Sequence, residues 1–319
     1  MNEFELIEKY FSGLSKNNKS SLELNDDIFF DKSKKLAISI DSYVEGIHFI
    51  DFKKPHLVIK KIIRSSISDL ICKGVEPKYY FISGSGNKKF FTKSNLTKIS
   101  NSLRQEQKKY NIFLCGGDTV FSKKLSFTIT TLGFSDKIIF RNNAKLNDDI
   151  YVTGNLGDSY VGLEILKNKY NIKKNLKRYF VNTYYQPNLY LNLAKKLFLF
   201  ANTSIDISDG LINDLEKLIN RQNLSYKLNL HNVPISNNLG KLLILKKLNK
   251  ASFISRGDDY QILFTASKSK SRIITNISKS LGIKISKIGK ICSYNQESQI
   301  INEKNIKIAF KNKGYFHSF

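Results

Sequence analysis

Strand-like segments and segments with a helical period alternate along both halves of this chain of 319 residues. Runs rich in β-branched and aromatic residues predict strands, among them KLAISIDSYVEGIHF, DIYVTG and FISRGDDYQILFTAS. The apolar residues of HLVIKKIIRSSISDLICKG recur at the helical period, and Gly74 marks the end of that helix. Residues 3–12 predict a helix that ends at Gly13, and NIFLCGGDTV predicts a short buried strand that runs into a turn. The alternation predicts an α/β or α+β fold.

The length of the chain predicts two domains, because compact domains usually have roughly 100 to 200 residues. Hydrophobic residues make up 41% of the chain, enough for two cores and too many for a disordered protein. A polar, turn-like segment from Arg141 to Asp149 separates two rounds of strands and helices. We therefore predict an N-terminal domain over residues 1–137 and a C-terminal domain over residues 138–319.

The chain has no apolar stretch long enough to cross a bilayer, and its first residues, MNEFELIEKYF, are acidic and amphipathic. Its three cysteines, Cys72, Cys115 and Cys292, include no CxxC pair, so neither a disulfide framework nor a cysteine-rich zinc site is favoured. The four histidines show no HExxH or paired spacing. We expect a cytoplasmic protein that is neither secreted nor membrane-bound.

The charge balance is strongly basic, with 52 Lys and Arg against 27 Asp and Glu, a formal net charge of +25. Clustered basic residues bind the phosphates of nucleic acids, so this balance raises the hypothesis of a basic nucleic-acid-binding module. The lysines are scattered along the whole chain, however, and no nucleic-acid recognition motif accompanies them. Nucleic acid is therefore the less favoured partner, and the charge can also attract small anions.

The scarce aspartates recur in short segments rich in Gly, Ser or Asn, which predict turns at the ends of apolar strands. These aspartates are Asp26, Asp27, Asp41, Asp69, Asp118, Asp206, Asp209, Asp258 and Asp259. One such turn alone is ordinary turn or capping chemistry. Their repetition favours Mg²⁺, which binds through one or two carboxylates and substrate phosphates.

The familiar nucleotide loops are absent from the sequence: there is no GxxxxGK[ST], no GxGxxG and no protein-kinase HRD and DFG set. Two glycine-rich segments remain, GNLGDS from Gly154 and GGDT from Gly116. Each can present backbone N–H groups to a phosphate or serve as a plain loop. The local pattern therefore indicates a metal-phosphate enzyme without identifying its reaction.

Several motifs occur along the chain in a fixed order. In that order they are DDIFFD, ISIDSYVEGIHF, SISDLICKGVEP, FLCGGDTV, YVTGNLGDSYVGL, IDISDGLINDL, RGDDYQILFT and ISKIGKI. The series resembles the thiamine-monophosphate kinases, a family within the superfamily of aminoimidazole ribonucleotide synthetase. The resemblance runs from about residue 3 to the closing GYFHSF. It implies the two-domain PurM-like architecture, in which the N-terminal α/β domain binds ATP and metal and joins its partner's strands in a dimeric barrel. The active site would lie in the cleft between this domain and the α/β C-terminal domain.

The resemblance also implies an activity and a set of site residues. The activity is phosphorylation of thiamine monophosphate to thiamine diphosphate, the last step of thiamine diphosphate biosynthesis, by a homodimer that uses ATP and Mg²⁺. The implied metal ligands are Asp27, Asp41, Asp69, Asp118, Asp206 and Asp209. The implied nucleotide contacts are Gly117, Asp118, Arg141 and Ser208, and the implied substrate contacts are His48, Asp258 and Tyr315.

No catalytic general base is expected among these residues. The acceptor is a phosphate monoester whose second pKa is about 6, so it is already ionised at neutral pH. The barrier lies in the repulsion between two phosphates, which carboxylate-held cations relieve while they align the groups for direct in-line transfer.

The sequence departs from the family pattern at several positions of the implied site. Ile40 replaces a hydroxyl residue beside Asp41, Asp258 replaces a glutamate, and Arg256 replaces a glycine. The last two departures make substrate geometry at RGDD the least secure part of the implied site. The main alternative is another enzyme of the superfamily, aminoimidazole ribonucleotide synthetase, which DSYVEGIHF and RGDDY together disfavour. The selenophosphate and hydrogenase-maturation members are disfavoured, because the chain has no cysteine before Cys72 and none near its end.

Overall fold

The computed structural model describes residues 3–310 and 313–315 of the chain. Residues 316–319, which close the GYFHSF segment named above, lie outside the described residues, as do residues 1–2 and 311–312. The described residues form a mixed α/β structure with two sheets.

The first sheet has five strands in the order β1-β2-β5-β3-β4. Its strands are β1 (Phe29–Asp31), β2 (Leu36–Val44), β3 (Pro77–Gly86), β4 (Phe113–Phe121) and β5 (Ser126–Phe134). Neighbouring strands are antiparallel except β3 and β4, which are parallel and joined by a helix. β1 and β4 therefore form the edges of this sheet.

The second sheet has six strands in the order β11-β8-β10-β6-β9-β7. Its strands are β6 (Asp149–Thr153), β7 (Thr203–Asp206), β8 (Leu224–Asn229), β9 (Ile262–Ala266), β10 (Ile285–Ser293) and β11 (Gln299–Ile301). Only the pair of β11 and β8 is parallel among the described strands of this sheet. Every residue of β6, β7 and β9 is buried, so this part of the sheet is covered on both faces.

The α-helices are α1 (Glu3–Leu6), α2 (Ser12–Ser15), α3 (Pro55–Cys72), α4 (Lys93–Tyr110), α5 (Asp158–Leu166), α6 (Lys174–Tyr185), α7 (Ala194–Leu197), α8 (Leu211–Leu218), α9 (Asn237–Lys246), α10 (Ala251–Ile254) and α11 (Ser271–Leu281). A π-helical turn over Ile7–Phe11 joins α1 to α2. The helix α3 is buried along most of its length, and it packs against β2 and β5 of the first sheet and against β7 of the second.

Several predicted elements are confirmed, and others are wrong in ways that matter for the site. α3 ends where Gly74 predicts it, because Gly74 takes a positive φ of 83°. The segment before Gly13 does not end there, since Gly13 lies inside α2. The beginning of FISRGDDYQILFTAS is the helix α10, and its strand starts only at Ile262. The helix α6 was not predicted, because its apolar residues are interrupted by lysines and asparagines.

β4 is the largest difference from the sequence-based expectation. The segment NIFLCGGDTV predicts a buried strand that leads into a turn, but every residue of β4 is exposed and GGD lies inside the strand. β4 is apolar and pairs only with β3 among the described strands. The apolar residues of β4 therefore belong to a surface that no described residue of this chain covers.

That exposed surface continues across the sheet. The side of the first sheet opposite α3 carries exposed apolar side chains, namely Ile40, Tyr79, Phe81, Phe113, Val120 and Phe134. Contiguous apolar surface of this kind usually marks an interaction site. No helix within the described residues is long and apolar enough to cross a membrane.

The two sheets use separate parts of the chain, residues 29–134 and 149–301. Their side chains nevertheless share one large apolar cluster, in which Ile62 of α3 and Phe264 of β9 both take part. The domain limits 1–137 and 138–319 therefore stay a prediction.

Candidate active site

Three carboxylates from distant parts of the chain meet at one point. Asp27 precedes β1, Asp69 lies in the last turn of α3, and Asp206 is the last residue of β7. One oxygen from each lies within 4.8 Å of the others. We refer to Asp27, Asp69 and Asp206 as the carboxylate cluster. It forms because α3 crosses from the first sheet to the edge of the second.

Burial raises the pKa values of two members of this cluster, Asp206 and Asp69. The pKa of Asp206 rises to about 6 because the group is buried, although Ser68 donates a hydrogen bond of 2.7 Å to it. The pKa of Asp69 lies well above its usual range, since burial and the charges of Asp41 and Asp206 both disfavour ionisation. A cation bound between these carboxylates would lower their pKa values and favour their ionised form.

Asp41 lies beside the cluster on β2. Burial raises its pKa to about 6, against the opposing effect of the hydroxyls of Ser66 and Tyr43. Its Oδ2 atom is buried and makes no hydrogen bond to any described residue. A buried carboxylate oxygen without a partner is rare and marks a place where a ligand fits.

Two basic side chains reach the cluster from its outer side. Lys73 lies 2.7 Å from Asp26 and 2.8 Å from Asp27, and Arg141 forms an ion pair with Asp27. The backbone N–H of Arg141 also donates to Asp26 over 2.9 Å. Arg141 is buried, which lowers its pKa, and the surrounding aspartates oppose that effect. Arg141 is therefore already paired with one member of the cluster.

The donor set fits a hard divalent cation. Asp27, Asp69, Asp206 and Asp41 offer only carboxylate oxygens, the ligands that Mg²⁺ prefers, and one of these oxygens is buried without a hydrogen bond to the described residues. No described histidine or cysteine belongs to the set, so the donor atoms do not favour zinc.

Asp209 follows the cluster along the chain but faces other partners. Its carboxylate pairs with Lys217, and its backbone N–H donates to Asp214 over 3.0 Å. Lys217 also lies 3.1 Å from Asp214, and the two aspartates raise its pKa. Asp209 is therefore close to Asp206 in sequence, but Lys217 already balances its charge.

Two glycine-containing loops are pressed together beside Asp209. A Cβ atom on Gly257, whose φ is 77°, would lie 2.1 Å from the carbonyl oxygen of Ser208. A Cβ atom on Gly210 would lie 2.5 Å from the carbonyl oxygen of Ser255. The backbone N–H of Asp258 donates to Ser208 over 2.8 Å. Only glycine permits this approach, which fixes Ser208 and Asp258 next to each other.

Asp258 is held by a buried lysine from the other half of the chain. Lys61 of α3 lies 2.6 Å from Asp258, and the hydroxyl of Tyr260 donates to the same oxygen over 3.0 Å. The ammonium of Lys61 also lies 4.1 Å from the centre of the Tyr184 ring. The side chain of Asp258 is 27% exposed, so it is partly open to a ligand.

His48 and Tyr315 lie close to this second group of residues. The hydroxyl of Tyr184 donates to the carbonyl oxygen of His48 over 3.2 Å, and Nδ1 of His48 accepts from the N–H of Val44 over 3.0 Å. The backbone N–H of Tyr315 donates to the carbonyl oxygen of Asp209 over 3.0 Å, and burial together with the charges of Asp209 and Asp258 raises the pKa of Tyr315. His48 is thus linked to Asp258 through Tyr184 and Lys61, and Tyr315 is bonded to the segment that carries Asp209.

Asp118 and Gly117 lie apart from the other candidates. Both are on the exposed edge strand β4, and Asp118 pairs with Ser83 of β3. β3 and β5 separate β4 from β2, which carries Asp41. A Cβ atom on Gly117 would lie 1.8 Å from the carbonyl oxygen of Ile82, so this position requires glycine. Within the described single chain, Asp118 does not join the carboxylate cluster.

The expectation that the aspartates lie in turns is wrong for three of them. Asp41 lies within β2, Asp69 within α3, and Asp118 within β4. Sequence reasoning also missed Lys61, Lys73 and Lys217 as partners of acidic residues. The available signal was a lysine within or just after an otherwise apolar helical run, because burying an unpaired ammonium is costly.

The comparisons with known proteins agree with the sequence motifs. Residues 25–135 match the family model described as AIR synthase related protein, N-terminal domain. A thiamine-monophosphate kinase of Buchnera aphidicola subsp. Acyrthosiphon pisum is 35% identical, covering 99% of this chain and 98% of the relative. The thiamine-monophosphate kinase of Haemophilus influenzae is 31% identical, covering 91% of this chain and 89% of the relative.

Solved structures show the same fold. A structure described as AaThiL complexed with AMPPCP and TMP has a TM-score of 0.85 at 26% identity, covering 99% of this chain and 97% of that chain. The thiamine monophosphate kinase of Aquifex aeolicus has a TM-score of 0.77 at 26% identity, covering 93% and 97%. A HypE–HypF complex has a TM-score of 0.75 at only 14% identity, covering 96% and 99%, and is similar in fold alone.

Proposed function

Because the chain belongs to the thiamine-monophosphate kinase family, we propose that it transfers a phosphate group from ATP to thiamine monophosphate and forms thiamine diphosphate. The observation that carries this proposal is the carboxylate cluster, assembled from three segments of a chain that aligns with such kinases over 99% of its length. The proposed place of the reaction is the last step of thiamine diphosphate biosynthesis, in the cytoplasm.

Mg²⁺ is the proposed metal. When bound, it supplies positive charge against the repulsion between the two phosphates. Asp27, Asp69 and Asp206 would hold it, with Asp41 and Asp209 as further ligands at the edge of the cluster. The chain needs no general base for this transfer, because the acceptor phosphate is already ionised at neutral pH.

The acceptor side of the site is proposed to lie between His48, Asp258 and Tyr315. Thiamine monophosphate carries a cationic thiazolium ring and an aminopyrimidine ring, which suit a partly exposed carboxylate and an aromatic side chain. Asp258 is one methylene shorter than glutamate, and Lys61 fixes the position of its carboxylate at 2.6 Å. Holding the acceptor rigidly is what aligns its phosphate for transfer.

The nucleotide side is proposed to include Gly117, Asp118, Arg141 and Ser208. Arg141 and Ser208 are close to the carboxylate cluster in one chain, but Asp118 lies on the edge strand β4. We propose a homodimer in which the exposed apolar side of the first sheet meets a second copy in a barrel. This arrangement would cover β4 and bring its Asp118 to a completed site. The proposed cleft between residues 1–137 and 138–319 then holds both substrates.

The decisive test is ADP formation from ATP with candidate acceptors. We expect turnover with thiamine monophosphate and none with free thiamine or formylglycinamidine ribonucleotide. Turnover with the ribonucleotide alone would assign the chain to the aminoimidazole ribonucleotide synthetase reaction instead.

Direct in-line transfer is a separate part of the proposal. A single turnover with ATP labelled at its γ-phosphate should place the label in thiamine diphosphate and leave the protein unlabelled. Labelled protein that forms and decays at a catalytically competent rate would show a phosphoenzyme and contradict direct transfer.

A further inference from the structure

A fully buried lysine lies at the carboxylate cluster. Lys73 follows the last residue of α3, and its side chain has 0% exposure. Its ammonium lies 2.7 Å from Asp26, 2.8 Å from Asp27 and 2.7 Å from the carbonyl oxygen of Ser204, to which it donates. An ammonium group has three donors, and all three have an acceptor here. The geometry is that of an internal cation rather than of a surface lysine turned inward.

Lys73 connects the three segments that carry the cluster. Asp69 lies in the last turn of α3, four residues before Lys73, and Asp27 contacts the ammonium directly. Ser204 lies two residues before Asp206 on β7, and its hydroxyl donates to the carbonyl oxygen of Cys72 over 2.6 Å. The contacts of one side chain therefore join the three segments that carry Asp27, Asp69 and Asp206.

The same ammonium shares a ligand with the proposed metal. Asp27 offers an oxygen to the cluster while it pairs with Lys73 and Arg141. A positive charge paired with Asp27 repels a divalent cation that binds the same carboxylate. The repulsion is strong because the surroundings are buried. The same charge relieves the repulsion among the carboxylates when no metal is bound.

We propose that Lys73 is a positioning residue that acts as a resident cation: it holds the carboxylate cluster assembled without metal and weakens the binding of divalent cations to it. This role rests on the proposed function only for the identity of the cluster as a divalent-cation site. It does not depend on which acceptor the enzyme uses.

The test compares Lys73→Met and Lys73→Gln with the wild-type protein and with Lys60→Met. Lys60→Met is the matched control, because it removes a lysine charge from α3, the helix that Lys73 follows, at a half-buried position outside the cluster. Binding of Mn²⁺ is measured on the full chain without nucleotide, by the electron paramagnetic resonance signal of free Mn²⁺. Thermal unfolding is measured in EDTA and in excess Mg²⁺.

We expect both Lys73 variants to bind Mn²⁺ about tenfold or more tightly than the wild type, because a nearby like charge is removed. Their melting temperatures should be lower in EDTA and should return toward the wild-type value in Mg²⁺. The Lys60→Met protein should match the wild type in both measurements.

Mn²⁺ affinity that is unchanged or weaker in the Lys73 variants would overturn the proposal. The proposal would also be overturned if the Lys73 variants stayed unfolded in excess Mg²⁺ while Lys60→Met folded. In that case a divalent cation would not replace the ammonium of Lys73. A different result would contradict the proposed function: a wild-type protein that binds Mn²⁺ but does not phosphorylate thiamine monophosphate.

Discussion

Asp69 is the residue of the carboxylate cluster whose ionisation is most strongly opposed, by burial and by two neighbouring carboxylates. We predict that Asp69→Asn lowers kcat/KM with ATP and thiamine monophosphate about 100-fold or more, because a metal ligand is lost. The same substitution should stabilise the metal-free protein, since it removes a carboxyl group whose ionisation is opposed by burial and by its neighbours. Steady-state kinetics and thermal unfolding in EDTA measure the two effects.

Asp136→Asn is the control for Asp69→Asn. Asp136 is 80% exposed and pairs with Lys35 at the surface, so its loss should leave both the rate and the stability nearly unchanged. Full activity in Asp69→Asn would remove Asp69 from the metal site.

Asp41 allows a prediction of pH dependence. Its folded-state pKa is about 6 against an ordinary 3.8, so the metal-free folded chain binds a proton more tightly than the unfolded chain. Stability therefore falls as pH rises from about 4 through 6, by up to about 3 kcal/mol for this group. Asp41→Asn cannot lose that proton, and we predict that it is more stable than the wild type in EDTA above pH 6.

The stability difference between Asp41→Asn and the wild type should shrink as the pH falls toward 5, where the wild-type carboxyl is protonated. Denaturant unfolding across this pH range measures the free energy of unfolding of each protein. A difference that stays constant with pH would mean that Asp41 titrates at its ordinary pKa.

The contact between two loops is the feature to test at the scale of elements. In Gly257→Ala the new methyl group would overlap the carbonyl oxygen of Ser208, so the loop that carries Asp258 must move. We predict a KM for thiamine monophosphate raised about tenfold or more, because Asp258 then loses its alignment. Gly282→Ala is the control: its φ is also positive, at 63°, but no atom lies within 4 Å of the added Cβ.

Gly282→Ala should cost only about 1 kcal/mol of stability and leave the KM unchanged. Equal KM values for the two alanine variants would show that the loop contact does not set the acceptor site. The comparison separates backbone strain, which both variants share, from steric overlap, which only one has.

Sequence patterns predict secondary-structure elements better than they predict tertiary contacts between residues. The period of α3 and the position of Gly74 define that helix, and motif order indicates Asp27, Asp69 and Asp206 together. The same patterns cannot show that Asp69 lies within the helix and faces β7, because that depends on how α3 crosses both sheets. Lys73 was missed for the same reason: its partners come from segments that are distant in sequence.

β4 shows a second limit of prediction from sequence, which concerns burial rather than contacts. Its apolar residues correctly predict a strand, but apolar composition cannot distinguish a strand buried in its own chain from one left for a partner. The net charge of +25 is equally uninformative about the fold, since it acts on association and on the attraction of anions.

At the scale of the whole molecule, the prediction concerns the proposed homodimer. Phe81 is 41% exposed on β3, on the apolar side of the first sheet, and a charge there should be incompatible with an apolar interface. We predict that Phe81→Asp is monomeric by sedimentation velocity and loses activity, because Asp118 then lacks the second chain. Ile244→Asp is the control, since Ile244 is 82% exposed on α9 outside the first sheet.

Ile244→Asp should remain dimeric and active. A wild-type protein that is monomeric at micromolar concentration, or a Phe81→Asp protein that is still a dimer, would contradict the proposed interface. A monomeric but fully active Phe81→Asp protein would show that Asp118 contributes nothing across the dimer.

The separation of the cluster along the chain also fixes when it can exist during synthesis. Ser68, beside Asp69, is 138 residues from Asp206, and at roughly 5–20 residues per second a ribosome takes about 7–30 s to make that stretch. During that interval the acidic groups of the first half have emerged without the strand that completes their site, while Lys73 is already present beside them. The nascent chain therefore carries its own counter-ion through the period in which no metal site has yet been made.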